Sequence, residues 1–234
     1  MKLQNHTSLE AMGVYPDLLI ISGSKMYGTD NPNSDMDIRG MVLPPAEYLL
    51  GRKSFEQAKS DEPDYTIWSL PKFIHLLEVG SPNVFELLFA TKIKFASPLG
   101  LQLLGSSNLF ISKHIVKPCI GFAQSEWKSV ERSKGDVGGF RFKSASHSIR
   151  ILEQTTELLL TGTITFPRPN AVLLRQIKFG EVPYEACEAL YQKALTDTRE
   201  AEVRSKLPDG LDKSKIDVLY YDLIRDRIRE FLRV

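Results

Sequence analysis

Over residues 1–95 short apolar runs alternate with clusters of turn-forming residues, a pattern that predicts strands and short helices in succession. Leu18 to Ser22 is a compact apolar run stopped by Gly23, as expected of a buried strand opening into a loop. Gly28, Asp30, Asn31, Pro32 and Asn33 make a turn-rich connection. Residues 35–43 then predict a second strand, which ends at Pro44-Pro45 because proline cannot donate to a ladder. Asp64 to Trp68 (DYTIW) is rich in β-branched and aromatic residues and predicts a third. Ser69 and Pro71 suit the start of a helix over 71–79, and Ser81-Pro82 repeats that signal for a helix over 84–90.

From about residue 96 the period becomes helical. Ile149, Leu152, Thr156, Leu159 and Leu160 recur at three- and four-residue spacing before Gly162, as do Leu190, Tyr191, Ala194 and Leu195 before Pro208. Ile216, Leu219, Tyr220, Leu223, Ile224, Ile228 and Phe231 give the clearest amphipathic helix. Ser133 to Gly139 predicts a loop, and no internal repeat is visible. The expected architecture is α+β: a mixed half of strands and helices over 1–95, then a mainly helical half over 96–234.

Composition narrows the class. The 234 residues are 42% apolar and 25% charged with a formal charge of +1, which excludes a disordered or wholly polybasic chain. Cys119 and Cys187 stand apart without a CxxC or Cys/His cluster, so neither a zinc site nor a disulfide framework is expected. A reducing, cytoplasmic setting fits, and no export signal or membrane span is visible. The neutral total hides a division: residues 1–95 carry 9 Lys/Arg and 12 Asp/Glu, while residues 96–234 carry 21 and 17. Lys113 to Arg150 alone holds 8 basic and 3 acidic residues, interleaved with Phe122, Trp127, Phe140 and Phe142. Basic residues among aromatics can clamp a single strand or a tRNA end; the aromatics suit a core equally well.

The chemistry concentrates in Gly23 to Gly40, GSKMYGTDNPNSDMDIRG. In an extended strand alternate residues share a face, with about 6.6 Å between i and i+2. Asp35, Asp37 and Arg39 therefore point one way and Met36 and Ile38 the other. Two such carboxylates can converge on hard divalent cations, which take oxygen ligands. Gly23-Ser24 has the small residues that let backbone N–H groups approach a phosphate. The spacing is not that of a P-loop, because Thr29-Asp30 stand where Lys and Ser/Thr are required. An isolated D-x-D pair suits a solvated strand edge; the upstream Gly-Ser, the turn and the third strand favour a metal site. Arg39 either neutralises phosphate or compensates the aspartates, and Tyr27 either stacks on a base or fills the loop.

The string G-S-x₃-G-x₅-S-D-x-D, covering Gly23, Ser24, Gly28, Ser34, Asp35 and Asp37, resembles the nucleotide-binding signature of the DNA polymerase β nucleotidyltransferase superfamily. With Tyr27-Gly28-Thr29 and Asp37-Ile38-Arg39-Gly40 it looks more narrowly like the bacterial and phage branch named for its association with RNA repair. Supporting segments include Asp64-Tyr65, Ser81 to Phe89, Lys143 to His147 with Arg150, Ile177 to Glu181, and Ser205 to Pro208. The resemblance implies a polymerase-β-type fold and a two-metal transfer of NMP from an NTP to a hydroxyl, with pyrophosphate leaving. It implies that Asp35, Asp37 and Asp64, on a small mixed sheet whose cleft the helical domain over 96–234 covers, hold two Mg²⁺ or Mn²⁺ ions and carry catalysis, with Glu62 as the substitute for Asp64 in another register. It further implies nucleotide contacts from Gly23, Ser24, Ser34, Arg39, Lys143, His147 and Arg150, and an RNA acceptor, either a tRNA or a broken end. On a helix Lys143, His147, Arg150 and Gln154 form one polar stripe, which is equally the pattern of a solvated face. Transfer to a protein or small-molecule hydroxyl, or nucleotide binding without turnover, are the alternative readings.

Overall fold

The computed structural model describes residues 9–61, 64–135 and 139–233. Glu62 and part of the Ser133 to Gly139 segment lie outside the described residues. The N-terminal part contains strands β1 (Leu18–Ile21), β2 (Ile38–Val42), β3 (Gln57–Asp61), β4 (Asp64–Ser69) and β5 (Ile93–Ala96), joined in one sheet of order β3-β4-β2-β1-β5. The β2–β4 pair is parallel and the other pairs are antiparallel, so the sheet is mixed. Helices α1 (Gly23–Tyr27), α2 (Ala46–Leu49), α3 (Leu70–Glu78) and α4 (Pro82–Phe85) intervene. Helices α5 (Pro98–Gly105), α6 (Val116–Arg132), α7 (Phe142–Thr161), α8 (Ala171–Lys178), α9 (Tyr184–Arg204) and α10 (Lys213–Leu232) follow.

The period-2 alternation of the strands decides which residues meet the helices. Leu18, Ile20, Met41 and Trp68 enter the main core, while Leu19, Ile38, Val42, Ala58, Tyr65 and Ile67 face a second cluster with Leu9, Val14 and Phe55. Helix α3 begins where the sequence signals it, with Ser69 Oγ accepting from Lys72 N at 3.3 Å and Pro71 in the first turn. Helix α7 is the central post of the helical part and packs on α6, α8 and α9. It buries Ile149, Ile151, Leu152, Leu158 and Leu159, each side chain contributing about 1.5–3 kcal/mol. It ends at Gly162, whose φ of 76° terminates it in the left-handed conformation. The main core runs without a break from the sheet through Ile149 and Tyr191 to Leu223. A division at residue 95 therefore falls inside β5, which pairs with β1.

Several expected elements differ. β2 begins at Ile38 rather than Asp35, because β1 ends at Ile21 and leaves residues 35–37 only the Ser22 N to Asp37 O bond as ladder. The expected helix over 84–90 is α4 followed by a 3₁₀ turn, Glu86–Phe89. In α10 only Ile216, Leu219 and Leu223 are buried, and Phe231 is exposed. Among the described residues no helix is long and apolar enough to cross a membrane.

Candidate active site

The parallel register of β2 and β4 explains how the two carboxylates meet. Ile38 pairs with Tyr65, so the residues just before them, Asp37 and Asp64, enter neighbouring strands side by side, about 4.8 Å apart in backbone. Their side chains hydrogen-bond to each other. Burial, and then the neighbouring Asp64, raises the pKa of Asp37 above the usual carboxylate value. Asp64 is lowered, first by the Arg39 guanidinium and then by its hydrogen bond with Asp37. Arg39 lies in β2 two residues beyond Asp37 on the same face, opposite Thr66, and its Nη1 reaches back to Asp64 Oδ1 at 2.9 Å.

Gly23 closes the opposite side. Its φ is +64°, and a Cβ placed there would fall 1.6 Å from Asp37 Oδ2, so no other residue fits without displacing the carboxylate. The short helix α1 then runs from Gly23 to Tyr27 and stops at Gly28, also left-handed. Gly23, Ser24, Asp37, Arg39 and Asp64 line a cleft of about 580 Å³ together with Lys143, His147 and Arg150 of α7. The cleft thus brings together eight of the ten candidate catalytic and nucleotide-binding residues, all but Ser34 and Asp35. Ser34 is engaged in closing a turn, accepting from Asn31 N at 2.9 Å and donating to Asn31 Oδ1 at 3.1 Å. Asp35 is exposed in the unpaired segment before β2 and does not line the cleft.

The polar stripe of α7 descends from rim to floor. Lys143 is exposed, His147 is half-buried with its ring edge-on to Phe122 at 5.1 Å, and Arg150 is buried. Burial, followed by the Arg150 and Lys143 charges, pushes His147 down to about 3, so the imidazole is neutral. Among the described residues its Nε2 has no hydrogen-bond partner. Arg150 is committed to Glu86 and Gln154, at 2.7 and 2.8 Å. The aromatics of the basic segment belong mainly to the interior: Trp127 stacks on Tyr191 at 4.3 Å, and Phe140 packs on Phe142 and Tyr184. Trp127 and Phe140 are buried in the core, while Phe122 and Phe142 are half-buried.

Other cleft residues carry little or no signal in the sequence. Lys178 lines the cleft and donates to Thr29 O at 3.5 Å; burial, then Lys143, lowers its pKa. Lys59 and Gln57 line it from the edge strand β3, whose polar sequence QAKSD carries no apolar alternation. Glu86 carried a legible signal, an acid inside the apolar run VFELLF, which marks a buried charge with a partner.

The carboxylate pair fits a hard divalent cation. Two oxygen-ligand side chains held within hydrogen-bonding distance, with Arg39 as the hydrogen-bonded counter-charge, present the donor set that Mg²⁺ or Mn²⁺ prefers. Among the described residues no third His, Cys, Asp or Glu joins them closely enough to complete a cage.

The chain is 28% identical over 125 residues to an uncharacterized protein of Methanocaldococcus jannaschii, covering 50% of this chain and 51% of that protein. It is 21% identical over 188 residues to an uncharacterized 38.9 kDa protein of the nrdC-mobD intergenic region of Enterobacteria phage T4, covering 72% of this chain and 53% of the phage protein. The chain spans about half the length of these curated relatives. No solved structure matches it at the same significance. The model of the RNA repair pathway DNA polymerase beta family matches residues 7–218, a span that takes in the Gly23 turn, the Asp37–Asp64 pair and the α7 wall alike, and the chain belongs to that family.

Proposed function

We propose that the protein is a metal-dependent nucleotidyltransferase that moves NMP from an NTP to a hydroxyl of an RNA acceptor and releases pyrophosphate. The observation that carries this reading is the Asp37–Asp64 carboxyl pair pressed against Gly23 within a cleft lined by Lys59, Lys143 and Lys178. Such a site offers oxygen ligands for cations on one wall and positive charge for a polyphosphate on the other. Family membership supports the same reading.

In this proposal Asp37 and Asp64 hold Mg²⁺ or Mn²⁺, and Asp35, two residues from Asp37 in an unpaired segment, joins them when nucleotide enters. Bound there, two ions would stabilise the attacking and leaving oxygens of an in-line displacement. The chain's own groups do the rest. The backbone of Gly23 and the Ser24 hydroxyl face the phosphates, and Lys143 and Lys178 balance the charge that develops on them. Arg39, released from Asp64 when cations bind, adds a further positive group. The neutral His147 suits a hydroxyl or base edge better than a phosphate, because protonating it beside Arg150 and Lys143 is unfavourable. Ser34 acts by closing the turn that leads to Asp35.

The direct test is incubation with each labelled NTP, Mg²⁺ and an RNA pool. Transfer of label to RNA by the wild type, with loss in Asp37→Asn and Asp64→Asn variants, supports the proposal; label on protein instead of RNA redirects it to a protein hydroxyl.

A further inference from the structure

The floor of the cleft holds a closed network. Tyr27, the last residue of α1, donates its hydroxyl to Glu86 Oε1 at 2.5 Å. Arg150 donates to the other carboxylate oxygen at 2.7 Å and to Gln154 Oε1 at 2.8 Å. Its guanidinium carbon lies 3.6 Å from the centre of the Tyr27 ring, within cation–π range. Glu86 and Arg150 are 4% and 3% exposed, so each charge depends on these partners rather than on water.

A second hold acts on the same residue. Arg168 N donates to Tyr27 O at 3.0 Å, and a Cβ at Gly28 would meet Pro167 at 2.9 Å and Ala171 at 3.2 Å. Tyr27 is thus gripped by ring, hydroxyl and carbonyl, four residues from Gly23, and the ring and carbonyl holds come from the helical part. Helix α1 is a single turn without a side-chain cap, and an isolated turn of that length is unstable. Its position against Asp37 must come from tertiary contacts.

We propose that Glu86 and Arg150 are positioning residues: acting through Tyr27, they fix the Gly23–Tyr27 turn against Asp37 and so let the helical part set the nucleotide loop, without touching phosphate themselves. The kinetic consequence rests on the nucleotidyl-transfer reading. The anchoring itself is measurable in the protein alone.

Two variants test it. Tyr27→Phe removes one hydroxyl and keeps the ring over Arg150. Glu86→Gln with Arg150→Met removes both charges together, which avoids leaving a lone buried ion and keeps the chain folded. The amides of Gly28 and Thr29, both bonded to Ser24 O, report on the turn. In nucleotide-free protein their hydrogen exchange is expected to accelerate roughly tenfold in both variants, the effect of removing one hydrogen bond, while amides of α9 keep wild-type rates. With NTP, KM is expected to rise about tenfold in both, with a smaller change in kcat, and Arg150→Lys to give no rescue, since an ammonium cannot bridge Glu86 and Gln154 while stacking on Tyr27. Wild-type exchange at Gly28 and Thr29 in both folded variants overturns the proposal. So does an NTP KM that responds to Arg150→Met and is rescued by Arg150→Lys while Tyr27→Phe is silent, for that assigns Arg150 to phosphate. A wild-type chain that neither binds nor uses NTP defeats the functional reading, and the exchange rates still decide this one.

Discussion

The Asp37 carboxylate occupies the space that a side chain on Gly23 would need: a Cβ at residue 23 would lie 1.6 Å from Asp37 Oδ2. The loop proposed to face phosphate and a carboxylate proposed to hold metal are therefore fitted to each other, and neither can shift alone. Gly51 offers a control, since it has a φ of +76° and nothing within 4 Å of a Cβ. Gly51→Ala is expected to cost about 1 kcal/mol from backbone strain, and Gly23→Ala about 2–3 kcal/mol more, with loss of NTP binding. Urea unfolding and a labelled-NTP binding assay check this; equal costs at the two positions would remove the steric interlock.

His147 predicts an acid-sensitive component of stability. Its pKa is pushed down to about 3 by burial and by the neighbouring Arg150 and Lys143, below an unfolded value near 6.5. As pH falls below 6.5 the unfolded chain takes the proton first, so stability present at neutral pH is lost toward pH 3, at up to about 1.4 kcal/mol per pH unit. His147→Gln should flatten the fall of the urea midpoint between about pH 6.5 and 4. Curves parallel to the wild type would show that the imidazole is not held neutral.

Divalent cations should stabilise the protein through the carboxyl pair. At a Mn²⁺ concentration about one hundred times its Kd, linkage gives about 2.7 kcal/mol and a higher melting midpoint. Asp37→Asn with Asp64→Asn should abolish the shift, and Asp35→Asn should weaken it only when NTP is present. A full shift in the double variant would place cation binding elsewhere.

The chain's local patterns made much of this legible. The buried run Leu18 to Ser22, the DYTIW strand and the Ser69-Pro71 helix start all appear within a residue or two of their predicted places, because burial period and capping act locally. Strand β3 was hidden because an edge strand buries little, here chiefly Ala58. Asp35 lies off the strand face that alternation predicts for a related reason: alternation holds only while a ladder continues, and β2 starts at Ile38. The polar stripe of α7 was visible, yet its sorting into an exposed lysine, a neutral histidine and a buried arginine depends on how deeply α7 sinks beside Glu86. Lys178 reaches the cleft only through the path of α8, a long-range approach that sequence spacing does not encode.

If RNA enters this cleft, Lys59, Lys143 and Lys178 meet its phosphates. Replacing all three with Ala should weaken binding of single-stranded RNA and reduce the slope of log K against log salt by about 0.7 for each phosphate that is no longer neutralised. Filter binding across a salt series checks it. An unchanged slope would put the acceptor outside the cleft.

Nucleotidyl transfer with the paired carboxylates intact and disabled is the most direct measurement. With each labelled NTP in turn, Mg²⁺ and an RNA pool, the wild-type chain is predicted to release pyrophosphate and leave label on RNA 3′ or 5′ hydroxyls, and the Asp37→Asn/Asp64→Asn variant to leave none while remaining folded. Label transfer that survives in the double variant would contradict the account.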